Sequence, residues 1–338
     1  MTTSSHPARS APLPWQAPQW ARVNEQYAAE QIPHALLLAG PNDTGKADFA
    51  LALARMLLCA HPESGLNCGE CHACELSAAG HHGDMLWVEP LESSRFIRIE
   101  QVRGAIEFTH GTATFGTTKV LVFSPGDCLN ANGFNALLKS LEEPSSGTHV
   151  ILVCDRLHNV PATIRSRCQM MRLPAPTREQ SLQWLAGSLG DNSETERLLE
   201  LAGGSPLRAR KLADSGGVDI ALKRRLALRA VLAGSALVPQ VWNLWSDFDP
   251  GEFLYQLAAE LRRLIRFLPP QVLMSNAGRA AFHLLDEVGS IQRAISAGAN
   301  PGKQLLVDQM LSKCHRELGT VNLGDSIWTA HAGDVADE

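Results

Sequence analysis

The chain has 338 residues, of which 45% are hydrophobic and 19% charged, with a formal net charge of −5. That length is too great for one ordinary core and suits two or three domains; the acidic balance argues against a protein that grips nucleic acid alone. No apolar run approaches the ~20 residues of a membrane helix. Eight cysteines without a secretory signal read as thiols or metal ligands rather than disulfides, and the expected compartment is the cytoplasm.

Residues 1–18 carry four prolines, Pro7, Pro12, Pro14 and Pro18, and are predicted to form a poorly ordered arm. The first apolar run, His34–Ala39, reads as a strand. It leads into Gly40-Pro41-Asn42-Asp43-Thr44-Gly45-Lys46-Ala47, and a helix is predicted to open at Ala47. Strand, glycine turn and helix form the context in which backbone N–H groups cradle phosphate. Gly40, Gly45 and Lys46 are the candidate phosphate-loop residues. The last position, however, is Ala47 where a magnesium-binding hydroxyl is needed. Lys46 then has two readings, weak nucleotide binding or a solvated lysine at a helix start.

The predicted helix ends at Cys59, and Cys68, Cys71 and Cys74 follow within a short insertion. Two-residue gaps let neighbouring thiolates turn onto one ion, and four sulfurs make a closed tetrahedral zinc shell of structural type. The rival readings are an iron–sulfur cluster, a ligand set in which His61, His72, His81 or His82 replaces a thiol, and free thiols. Cys128, Cys154, Cys168 and Cys314 stand isolated and read as small core residues.

Further strands are predicted at Met85–Glu89, Lys119–Phe123, His149–Cys154 and Cys168–Leu173, alternating with helical patterns. Short apolar runs of this kind suit strands buried on both faces, so a five-stranded parallel sheet covered on both sides is expected. The strand at Lys119 ends in Ser124-Pro125-Gly126-Asp127, with no acidic residue directly after it to hold magnesium. Asp127 is expected to cap the next helix. After a break at Leu173-Pro174-Ala175-Pro176-Thr177, where Thr177 is a predicted cap, strand signals disappear. Residues 178–214 read as a small helical unit with a turn at Gly203-Gly204-Ser205-Pro206. The chain then stays helical to about residue 320, with Leu254, Leu257, Leu261, Leu264 and Ile265 on one face.

Asn135-Ala136-Leu137-Leu138-Lys139-Ser140-Leu141-Glu142-Glu143-Pro144, followed by Ser166-Arg167-Cys168, resembles the bacterial clamp-loader family on its delta-prime side. The four-cysteine insertion beside the phosphate loop agrees. The resemblance implies an α/β plus all-α fold: an AAA+ P-loop core over 19–175 with a zinc insertion at 59–74, a helical lid over 176–215 and a helical collar over 216–323. The flanks are the arm (1–18) and a flexible tail (324–338). It further implies a hetero-pentameric ring with ATPase (gamma/tau) subunits and a delta subunit, which acts with a sliding clamp and primer–template DNA.

In such rings the arginine of the Ser-Arg-Cys triplet reaches a neighbour's ATP, which makes Arg167 the trans-acting candidate. Ser166 and Cys168 are expected to pack and aim it, and a surface ion pair is its plain alternative. Arg208 resembles the lid arginine that senses nucleotide. Asp155 stands where active relatives carry a threonine, so ATP in this subunit is doubtful. Zinc is the expected cofactor. The competing functions are an autonomous P-loop ATPase or nucleotide kinase, and a zinc-bearing nucleic-acid-binding module.

Overall fold

The computed structural model describes residues 8–318 apart from Ser93, Asp191, Ser246–Phe248 and Ala297. The expected tail from residue 324 lies outside the described residues. Contacts divide the chain into one unit that runs to Gly190 and takes in Ser205–Leu207, and a second that comprises the remainder.

The first unit is built on five strands: β1 (Ala35–Ala39), β2 (Met85–Val88), β3 (Lys119–Phe123), β4 (Thr148–Cys154) and β5 (Gln169–Arg172). Each falls within about one residue of its predicted span. All neighbours are parallel, in the order β2-β3-β4-β1-β5. Every residue of β1 and β3 is buried, because helices lie on both faces, as parallel crossover connections require. Its helices are α1 (Ala17–Ala28), α2 (Lys46–Leu58), α3 (His72–Ala78), α4 (Ile99–His110), α5 (Ala131–Glu142), α6 (Ala162–Arg165) and α7 (Arg178–Leu189). One face of the sheet packs Leu37, Leu121 and Leu152 against Val102, Phe134 and Leu137 of α4 and α5. The other packs Leu36, Leu38 and Val122 against Trp20, Phe49 and Leu53 of α1 and α2.

Residues 8–18 do not behave as the loose arm predicted for them. Trp15 and Gln16 are buried, Pro14–Gln16 form a single 3-10 turn, and α1 has already begun at Ala17. Proline frequency misled here: Pro14 and Pro18 both sit in first turns of helical segments, where their missing N–H is harmless. Residues 1–7 lie outside the described residues. The expected capping at Thr177 is present, with the Gln180 N–H donated to its Oγ1 at 3.2 Å.

Among its described residues the second unit has helices and no strand: α8 (Asn192–Leu201), α9 (Pro206–Asp214, whose first two residues group with the first unit), α10 (Val218–Leu232), α11 (Val238–Val241), α12 (Pro250–Phe267), α13 (Pro270–Leu273), α14 (Asn276–Ser296) and α15 (Lys303–Leu318). Leu254, Leu257, Leu261 and Leu264 of α12 are buried as their spacing predicts, against Leu228, Val231, Leu284 and Met310. Beneath that core Glu260 is buried with two arginines of α10: Arg225 Nε lies 2.9 Å from one carboxylate oxygen and Arg229 Nε 3.0 Å from the other. No helix among the described residues is long and apolar enough to cross a membrane.

Candidate phosphate loop and metal centre

The loop between β1 and α2 has the backbone of a phosphate cradle. Gly40 is obligatory, since a Cβ there would lie 2.2 Å from the Leu173 carbonyl oxygen. Gly45 caps α2 at φ +80°, a left-handed conformation that side chains resist. Lys46, the first residue of α2, is only 4% exposed, which removes the solvated-lysine reading. Its ammonium lies 2.6 Å from Asp155 Oδ1 and also donates to the Pro41 carbonyl.

Sheet register creates this pair. Ala39 of β1 stands opposite Cys154 of β4, so the residues that follow each strand, Gly40 and Asp155, emerge side by side. Asp127 helps to fix the arrangement. It is buried and accepts the Asp155 backbone N–H at 2.9 Å; burial, then the nearby Asp155 carboxylate, push its carboxyl above the usual range despite that hydrogen bond. Asp127 is therefore not a helix cap, contrary to expectation. Asn130 takes that role and accepts from Gly133 N at 2.9 Å.

The N-terminal segment lies on the same loop. Trp15 Nε1 and Gln16 Nε2 each donate to the Thr44 carbonyl at 3.0 Å, and Gln16 also reaches the Gly45 carbonyl at 2.8 Å. The proline count of residues 1–18 hid these contacts; the clue the sequence did offer is Trp15, a large apolar side chain next to Pro14.

Arg167 follows α6 at the surface, with its side chain 34% exposed. Its Nε donates to Glu142 Oε1 at 2.6 Å, its Nη2 approaches the same oxygen, and its Nη1 donates to the Thr163 carbonyl at 2.8 Å. In the chain itself the arginine thus makes the surface ion pair named as its alternative, with the last residue of α5. Cys168 is buried beneath it, as expected of a packing residue. Ser166 is exposed and bonds the Thr163 carbonyl instead of packing. Arg208 on α9 pairs with Glu252 and lies over the Tyr255 ring, 3.9 Å from its centroid, within the second unit.

The four cysteines converge. Cys59 ends α2, Cys71 precedes α3 and Cys74 lies within it. Their sulfurs all fall within 4.8 Å of one another, with Cys59–Cys68 at 3.5 Å, Cys59–Cys74 at 3.7 Å and Cys68–Cys74 at 3.9 Å. A tetrahedral ion with bonds of about 2.3 Å sets its sulfurs about 3.8 Å apart, so one ion fits. Several irons with bridging sulfides need a wider cage. No histidine joins the group among the described residues; His82 instead accepts from Asp84 N.

Burial pushes the Cys59 thiol up to about 12. Burial also raises Cys71, but hydrogen bonds from the Ala60 and Cys74 backbone and from the Cys74 and Cys68 thiols together outweigh it and bring the thiol down to about 7. A bound cation overrides both by favouring thiolate. Around the sulfurs, Asn67 donates to Cys74 Sγ at 3.2 Å and binds both the Ala8 carbonyl and the Ser10 N–H. Arg55, 1% exposed, donates to Ser10 Oγ and the Ser77 carbonyl and adds positive charge near Cys74. An anionic four-thiolate centre is well matched by such a neighbour.

Comparison with known proteins agrees with this architecture. The family described as "DNA polymerase III, delta subunit" matches residues 15–177. The chain is 37% identical to DNA polymerase III subunit delta' of Pseudomonas aeruginosa, over 75% of this chain and 84% of that one. It is 29% identical to the subunit of the same name from Yersinia pestis, over 92% and 91%. Among solved structures, a gamma subunit-related protein of DNA polymerase III from Thermotoga maritima superposes with a TM-score of 0.53 at 18% identity, covering 88% of this chain and 99% of that one; it shares the fold. From the paired phosphate loop, the surface arginine, the four-cysteine centre and these likenesses together, the chain belongs to the DNA polymerase III subunit delta' family.

Proposed function

We propose that the chain serves the clamp loader of DNA polymerase III as a non-hydrolysing subunit, which lends Arg167 to the ATP site of a neighbouring gamma/tau subunit. One contrast carries this reading: Lys46 is paired in a buried position, its side chain 3% exposed, whereas Arg167, two residues beyond α6, keeps 34% of its side chain exposed. An exposed, permanently charged fork suits phosphate recognition in trans. Glu142 would release it when a triphosphate, the stronger anion, is presented. Without a hydroxyl at Ala47 and with its lysine engaged, the chain's own loop has nothing to neutralise charge that develops in phosphoryl transfer.

In this reading residues 19–175 form the AAA+ core, 176–215 the lid and 216–323 the collar that joins the ring with the delta subunit. The assembly acts on a sliding clamp and on primer–template DNA in the cytoplasm. Zinc in the Cys59, Cys68, Cys71, Cys74 centre is structural, because no ligand position is left for water.

Arg167→Ala, reconstituted with the partner subunits, is expected to assemble normally and to lower ATP turnover at least tenfold at the site it completes. Unchanged turnover with normal assembly rejects the trans-acting role. For the metal, elemental analysis is expected to give one zinc per chain, released as pH falls because protons compete for the thiolates. Iron in its place, or no metal, rejects zinc. An autonomous ATPase or kinase would turn over magnesium-ATP as the isolated chain, and no turnover is expected.

A further inference from the structure

We propose that Asp155 masks the lysine of this chain's phosphate loop: its carboxylate holds the Lys46 ammonium where a phosphoryl oxygen would bind, leaving a latent polyphosphate site. The inference deepens the non-hydrolysing reading above and rests on it for the loop's ancestry alone.

The lesion is narrow. Gly40 still permits close approach to the loop, Gly45 still turns the backbone into α2, and α2 still presents its N-terminus over thirteen residues of helix. Besides the missing hydroxyl at Ala47, what differs is the charge around the lysine. Lys46 Nζ spends two of its three donors on the Pro41 carbonyl and on Asp155 Oδ1, the latter at 2.6 Å, with side-chain exposures of 3% and 29% for lysine and aspartate.

Asp155 is not a passing surface acid. Its N–H is held by Asp127, and β4 places it next to Gly40 through the Ala39–Cys154 register. A di- or triphosphate that entered would take the ammonium and leave the Asp155 carboxylate facing phosphate charge, with buried Asp127 behind it. Three anionic groups would then share one lysine with no metal ligand at Ala47. Like charges at that spacing disfavour binding, even with one side of the pair open to water.

The test uses the isolated full chain and a fluorescent N-methylanthraniloyl ATP, with and without magnesium, competed by inorganic pyrophosphate. The native chain is expected to show no saturable binding up to millimolar nucleotide. Asp155→Thr and the near-isosteric Asp155→Asn are each expected to bind on the order of 100-fold more tightly. Adding Lys46→Ala to either is expected to abolish the gain, which a merely structural role for Asp155 would not produce. Tight binding by the native chain overturns the proposal, as does the absence of any gain in a folded, metal-containing variant. Loss of the fold in both variants also overturns it, since the pair would then be architectural. None of these outcomes bears on Arg167, whose test reads a neighbour's turnover.

Discussion

Two ion-paired nodes, one in each unit, are built differently. In the helical unit Glu260 receives two arginine forks from one neighbouring helix, with Glu200 3.6 Å from Arg225 as a further anion. In the sheet unit a single lysine meets a single carboxylate that keeps 29% of its side chain exposed. In the first node none of Arg225, Arg229 and Glu260 keeps more than 16% of its side chain exposed; the second has a wall open to water. A closed charge node serves packing, and a half-open one at the mouth of a glycine loop keeps the geometry of a ligand site after the ligand's chemistry has gone.

That contrast predicts a graded response. Glu260→Ala strands two arginines in a low-dielectric site and is expected to destabilise the chain by about 3–5 kcal/mol, seen as a lowered denaturation midpoint; a loss below 1 kcal/mol would show that water reaches the node. Lys46→Ala leaves a carboxylate that can still hydrate, so about 1–2 kcal/mol is expected in the same titration. A loss equal to that of Glu260→Ala would erase the distinction between the nodes. Arg167→Ala removes an exposed pair with Glu142 and is expected to shift stability by no more than about 0.5 kcal/mol, while its effect on the assembly's ATP turnover remains large. The order of the three, more than any single value, separates packing from function.

The strands were legible because parallel strands buried on both faces are written as unbroken apolar runs, such as Leu36-Leu37-Leu38 and Val150-Ile151-Leu152-Val153. The site's motif residues were legible for a similar local reason: glycine turn, lysine, paired cysteines and the Ser-Arg-Cys triplet are each contiguous. Their partners were not. Asp155 reaches Lys46 through strand register across 109 positions of sequence separation, and Glu142 reaches Arg167 from the end of α5. Asp127 failed for another reason. It and Asn130 are both good capping residues three positions apart, and which one caps depends on where the 3-10 turn at Gly126–Cys128 ends. The role of Trp15 and Gln16 was hidden because four prolines suggested looseness in a segment whose prolines start helices.

The path of residues 8–16 has a practical consequence. Asn67 grips the polypeptide at Ala8 and Ser10 beside the sulfurs, and a few residues later Trp15 and Gln16 fasten onto Thr44 and Gly45. An exopeptidase that trimmed the protein past Gln16 would therefore unfasten two places at once: a hydrogen-bond donor would lose its anchors next to the four cysteines, and the turn ahead of α2 would lose its cover. Trp15, buried at one end of this tether, would leave with the trimmed segment, so the loss of its share of the emission would mark the cut.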